Sequence, residues 1–87
     1  MDRMVTIKNK LGLHARPAMA FVDVATQYQS TIKVSNREQA VDGKSIMQMM
    51  LLAAGEGTPL KISAEGGDAA AALDALEKLI EGKFGEE

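Results

Sequence analysis

Apolar residues in this chain recur with two periods that take turns along it, and that alternation limits the fold more than any other feature. Val5 and Ile7 alternate with Thr6 and Lys8, the period of a strand with one buried face. Asn9 to His14 reads as a loop. Pro17 suits the first turn of a helix, and Ala18, Phe21, Val22, Ala25 and Tyr28 follow at helical spacing, so a helix is expected from about Pro17 to Tyr28. Ile32 and Val34 alternate with Lys33 and Ser35; Asn36-Arg37 then turns the chain into Gln39-Ala40-Val41, a hairpin. Ser45 heads a short helical segment, about Ile46 to Ala53, closed by Gly55 and Gly57. A fourth strand runs from about Pro59 to Glu65 and is broken by Gly66-Gly67. Asp68 is placed to cap a last helix, marked by Ala69, Ala72, Leu73, Leu76, Leu79 and Ile80 and ending near Gly82.

The resulting order is β-α-β-β-α-β-α. Four short strands with one apolar face need a cover, and three amphipathic helices can supply it from one side. The expected architecture is an α+β open-faced sandwich: one domain, residues 1–87, with a four-stranded antiparallel sheet covered on one face by three helices.

At 87 residues folding buries only roughly 60–65% of the unfolded chain's surface, which leaves little room for a multi-step active site with its own cofactor pocket. No cofactor is expected. The longest apolar run, Ile46 to Gly55, is interrupted by Gln48, so no membrane span is expected. The N-terminus passes from Met1-Asp2-Arg3 directly into alternating Val5 and Ile7, without the apolar stretch of a secretory signal, and a cytoplasmic location is expected. There is no cysteine and a single histidine, which excludes disulfides and argues against a zinc site. Asp23, Asp42, Asp68 and Asp74 fall on separate elements, so neither paired carboxylates for hydrolysis nor a metal cluster is expected.

A net charge of −2 argues against nucleic acid as a main partner. The charges are also segregated. Residues 1–44 carry seven Lys/Arg against four Asp/Glu, net +3, whereas residues 45–87 carry three against eight, net −5. The histidine lies in the positive half. In Gly12-Leu13-His14-Ala15-Arg16-Pro17-Ala18 it sits where loop becomes helix, just ahead of the first-turn N–H groups, a position that favours anions. Neither Ala15 nor Arg16 is a good capping residue. A neutral imidazole there carries a lone pair able to attack phosphorus, Arg16 can offer charge-assisted hydrogen bonds to phosphoryl oxygens, and Gly12 permits a tight loop. The blander reading of each residue is a surface histidine, a solvated arginine and a turn glycine.

A second constellation is Lys44-Ser45-Ile46-Met47-Gln48-Met49-Met50, a serine opening a short methionine-rich helix. Taken alone, Ser45 is a helix cap. Met49 and Leu52 share the face that enters the core, while Met47 and Met50 share another with Lys44. So short a helix cannot bury all of Ile46, Met47, Met49, Met50, Leu51 and Leu52, and some of them should form an adaptable exposed patch. Gly66-Gly67 is read as a turn.

Gly-Leu-His-Ala-Arg-Pro-Ala at 12–18, Lys44-Ser45-Ile46-Met47, and Ile62-Ser63-Ala64-Glu65-Gly66, at matching intervals, resemble the HPr family of histidine-containing phosphocarriers of the bacterial phosphotransferase system across almost the whole chain. The resemblance implies an HPr-like fold and a carrier rather than an enzyme. His14 would be phosphorylated on Nδ1 by enzyme I, itself charged from phosphoenolpyruvate. It would pass the group to the A domain of a sugar-specific enzyme II, with Arg16 stabilising the phosphate. Ser45 matches the serine that HPr kinase/phosphorylase marks in many Gram-positive and some other bacteria. Ile46, Met47 and Met50 would help dock enzyme I and enzyme II, and a phosphate on Ser45 would offer a feature to a transcriptional regulator. A monomer is expected. Because His14 is present, the catabolite-repression paralogue that lacks it is disfavoured.

Two features depart from the simplest match. Ala53 stands where many members have glycine, at the end of the short helix. Asn9-Lys10-Leu11 and Phe84-Gly85-Glu86 look similar to the nitrogen-related phosphotransferase branch, the closest alternative; a non-transferring adaptor that binds through the methionine patch is a third.

Overall fold

The computed structural model describes residues 1–85. In chain order it contains β1 (Asp2–Thr6), α1 (Ala15–Ala25), β2 (Thr31–Ser35), β3 (Ala40–Asp42), α2 (Ile46–Leu51), β4 (Pro59–Glu65) and α3 (Ala69–Glu81), followed by a 3-10 turn, Lys83–Gly85. The strands form one antiparallel sheet in the order β1-β4-β2-β3. Its register places Val5 beside Leu60, Val34 beside both Ile62 and Val41, and Ile32 beside Ala64. Alternation therefore brings every buried strand residue to one face, where Phe21 and Val22 of α1, Met49 of α2, and Leu73, Leu76 and Ile80 of α3 complete the core. The opposite sheet face is open, as the sequence pattern requires. Among the described residues no helix is long and apolar enough to cross a membrane.

The helix limits differ from the sequence reading in three places. α1 begins two residues earlier than Pro17, which occupies its first turn rather than its first position. It stops at Ala25 because the chain tightens. Gln27 N bonds to Val24 O and Tyr28 N to Ala25 O, three residues back, so Tyr28 lies on a terminal turn beyond the helix while still packing against the core. α2 ends at Leu51 rather than Ala53, since Leu52 N and Ala53 N also bond three residues back and Ala53 then adopts φ +49°.

That left-handed conformation costs an alanine about 1 kcal/mol through its Cβ, and glycine avoids the cost. Ala53→Gly should therefore stabilise the protein by about 1 kcal/mol, which for a chain this short raises the thermal midpoint by roughly 4–8 °C. A calorimetric midpoint at or below that of the parent would show that the neighbouring loop relaxes this strain.

Asp68 corrects another expectation. It stands at the N-cap position of α3, but its side chain makes no cap bond there. Its carboxylate instead accepts from Gln29 N at 2.8 Å and from Ser30 N at 3.0 Å, and also from the Ser30 hydroxyl, tying the start of α3 to the turn before β2. The Ser30 hydroxyl and these amides hold the carboxyl below its ordinary value of 3.8. A depressed folded-state value means that this contribution is complete above the unfolded value and disappears as pH falls through the folded one. Asp68→Ala should thus lower the thermal midpoint at pH 7, and its deficit relative to the parent should close as pH falls through that depressed value. A deficit independent of pH would assign the loss to packing.

Candidate functional site

The candidate site is assembled from the loop after β1, the first turn of α1, and α2 with the loop that follows it. Asn9 is fully buried; its Nδ2 donates to Gly12 O at 2.8 Å, while Gly12 N donates to Asn9 O at 3.2 Å. This double closure folds 9–12 into a compact turn. Leu13, also buried, donates its N–H to Ala54 O at 2.8 Å, so the histidine loop is stitched to the segment after α2. Gly12 sits at the closest approach. Its φ is +70°, and a Cβ there would lie 2.2 Å from Ala54 O and 2.7 Å from Gly55 Cα. The tight-loop role read for Gly12 thus has a steric cause as well as a conformational one.

His14 follows as the N-cap residue of α1, with extended backbone (φ −83°, ψ −169°) and a half-buried side chain. Its carbonyl accepts from Ala18 N at 3.0 Å, closing the first helical turn. Pro17 has no N–H, and helical geometry provides no intrahelical acceptor for the amides of Ala15 and Arg16. No acidic residue occupies that turn. Arg16 is exposed and enters no ion pair among the described residues. Helix start, imidazole and guanidinium therefore lie within three consecutive positions, an arrangement suited to transient bonding of a phosphoryl group. An open groove of about 330 Å³, lined by Asn36, Arg37, Glu38, Thr58 and Pro59, includes none of these residues. The half-buried imidazole lies outside that groove.

Ser45 is the N-cap of α2, and its Oγ accepts from Gln48 N at 3.2 Å. Lys44 reaches the opposite way: its Nζ donates to Tyr28 O at 2.7 Å, beyond the C-terminus of α1, where a cation meets outward-facing carbonyls. α2 is also tied to the β3 edge through Gln48 Oε1, which accepts from Asp42 N, and Leu51 O, which accepts from Gln39 Nε2. These ties fix which face of α2 is exposed. Met49 is wholly buried and Leu52 nearly so, whereas Ile46, Met47, Met50 and Leu51 are exposed, Met47 to 80%. The division of methionines between core and surface agrees with the spacing argument. Three residues were missed in the sequence. Leu11 is 75% exposed three positions before His14, and Met19 is exposed one turn beyond Arg16, enlarging the apolar surface near the histidine. The third is the buried latch Asn9; an asparagine three residues before a glycine was its one local signal.

Fold and site together define a small open-faced α+β domain that presents one imidazole, flanked by an arginine, at a helix start. A family described as "PTS HPr component phosphorylation site" matches residues 1–82. The chain is 53% identical over 83 residues to the phosphocarrier protein HPr of Pseudomonas aeruginosa, covering 94% of this chain and 92% of that one. Among solved structures, HPr-C-His from Thermoanaerobacter tengcongensis is 48% identical with a TM-score of 0.95, covering 100% of this chain and 98% of its own. An HPr dimer from the same organism is 50% identical with a TM-score of 0.80, covering 94% of each chain. The chain belongs to the HPr family of phosphocarrier proteins of the phosphotransferase system.

Proposed function

We propose that His14 accepts a phosphoryl group on Nδ1 from phosphorylated enzyme I and passes it to the A domain of a sugar-specific enzyme II. The observation that carries this reading is the half-buried imidazole at the N-cap of α1, two residues before an exposed arginine. An N–P bond forms as the donor's bond to phosphorus breaks, and the sequence reverses with the acceptor. The protein acts as a stoichiometric carrier in the cytoplasm, as a monomer and without a cofactor. Arg16 neutralises phosphoryl oxygens in both transfers. Ile46, Met47 and Met50 contribute apolar contact to both partners, and Ser45 receives a regulatory phosphate from an HPr kinase/phosphorylase, which makes a recognition feature for a transcriptional regulator.

Charged partners strengthen a hydrogen bond to about 1.5–3 kcal/mol, so Arg16→Ala should slow transfer in both directions by about one to two orders of magnitude without disturbing the fold. Rapid-quench rates with enzyme I and with an enzyme II A domain give the comparison. Unchanged rates in a folded variant would remove Arg16 from the chemistry.

The Asn9-Lys10-Leu11 segment keeps the nitrogen-related branch as a second reading. The deciding experiment charges the protein with phosphoenolpyruvate and enzyme I, then offers it sugar-type and nitrogen-type A domains separately. Faster discharge to the sugar-type domain is expected, and preferential discharge to the other would reassign the branch. Failure of both transfers while the folded protein still binds these partners would favour the adaptor.

A further inference from the structure

The methionines fall into two environments. Met49 is wholly buried on the inner side of α2, whereas Met1, Met4, Met19, Met47 and Met50 are exposed. Met47 and Met50 are three residues apart on the helix that Ser45 caps, so both thioethers belong to one small surface. The chain has no cysteine, and no thiol competes for a mild oxidant.

We propose that Met47 and Met50 form an oxidation-sensitive modification site, at which hydrogen peroxide converts the thioethers to sulfoxides and weakens docking of enzyme I. The inference rests on the docking role given to these residues above. In each event a sulfur lone pair attacks one peroxide oxygen, an S–O bond forms and the O–O bond breaks. Sulfur loses two electrons, and the other oxygen leaves as water after proton transfer within the peroxide and solvent. One peroxide is consumed and one water released per methionine.

The physical consequence follows from the change in polarity. A thioether is a flexible, apolar group that adapts to a partner's surface; a sulfoxide is a strong acceptor on a chiral, polar sulfur. A partner that covers it must supply a donor or bury an unpaired polar group. Unlike a phosphate on Ser45, the sulfoxide adds no net charge, so its effect should depend little on ionic strength. The buried position of Met49 shields its sulfur from the solvent-borne oxidant, which leaves the core intact. Because sulfoxides exist as two epimers, complete reversal needs reductases of both stereospecificities.

The test treats the full-length protein with hydrogen peroxide, locates added oxygen by peptide mass, and compares its phosphorylation rate by enzyme I with that before treatment. Circular dichroism follows the fold. Oxygen is expected on Met47 and Met50 but not on Met49, with a rate loss of roughly tenfold. The two reductases together should restore the rate. Both comparisons are made in a Met19→Leu background, so that the exposed methionine of α1 does not contribute. A further Met4→Leu change should leave the peroxide-induced loss as it is in that background, whereas a variant with a further Met47→Leu/Met50→Leu change should keep its own untreated rate. Equal peroxide sensitivity of that second variant would overturn the proposal, as would an unchanged rate in a parent oxidised at both positions, or resistance of both to oxidation. Absence of phosphorylation before any peroxide is added would refute the underlying carrier reading and this inference with it, an outcome separate from the others.

Discussion

His14→Ala should abolish acceptance of a phosphoryl group from enzyme I while changing stability by no more than about 1 kcal/mol. The expected loss is complete because the chain contains one histidine, and no other residue brings an imidazole to the start of α1. The fold should survive because the loop is also held by contacts that the substitution leaves in place. Leu13 is buried and bonded to Ala54 O, Asn9 closes the turn on Gly12, and the carbonyl of residue 14 still receives the Ala18 amide after substitution. Denaturation curves for the two proteins, run beside labelling from phosphoenolpyruvate and enzyme I, separate chemistry from folding. Continued acid-labile labelling of the variant would assign the acceptor to another residue; a variant that fails to fold would show that the backbone contacts of Asn9, Gly12 and Leu13 do not suffice to hold this loop.

A phosphate on Ser45 is expected to leave the thermal midpoint nearly unchanged but slow the phosphorylation of His14 by an amount corresponding to a few kcal/mol. Ser45 already caps α2 through its bond with Gln48 N, and a phosphate there meets the favourable end of the helix dipole. The fold therefore tolerates the added charge. Under the docking role proposed above, docking should not, because the phosphate's charge of roughly −1.5 to −2 stands beside exposed Ile46, Met47 and Met50 and would have to be desolvated or repelled by a partner that covers them. The adjacent cation is engaged elsewhere: Lys44 Nζ holds Tyr28 O at 2.7 Å, and turning toward the phosphate would surrender that bond. Ser45→Asp is a first approximation, with one carboxylate in place of a phosphate. The decisive comparison uses protein carrying a genuine phosphoserine, with rates taken at low and high salt. Inhibition that weakens with salt agrees with the electrostatic account; an unaltered rate would leave Ser45 as a helix cap alone.

Much of the scaffold was legible because one-sided burial writes a periodic pattern into the chain. Ile32 and Val34 announced a strand by alternation, and the span Pro59–Glu65 was read to its observed limits. The junction at His14 was also legible, since a proline in the first turn and apolar residues at helical spacing mark where a helix begins. What escaped depends on contacts between distant segments or on backbone states that the residue type does not advertise. An asparagine before a glycine resembles an ordinary surface turn, yet Asn9 is buried and braces the histidine loop. Asp68 has the chemistry of a cap, but its better partners are amides in the 29–30 turn, which only folding brings near. Ala53 conceals a left-handed residue that glycine would have signalled. Leu11 was read only as a loop residue within the segment similar to the nitrogen-related branch, and its exposure, three positions before His14, is visible only in the fold.

The most direct measurement of the central claim is the site and bond type of the phosphate after the parent protein is incubated with phosphoenolpyruvate and enzyme I. The sample is kept alkaline, digested, and read by peptide mass and phosphorus NMR, with a parallel aliquot brought to acid. One phosphate is expected, on the peptide containing His14, with the signal of an Nδ1 phosphoimidazole, stable in alkali and lost in acid. Phosphate that survives acid, or that resides on a peptide lacking His14, would contradict it.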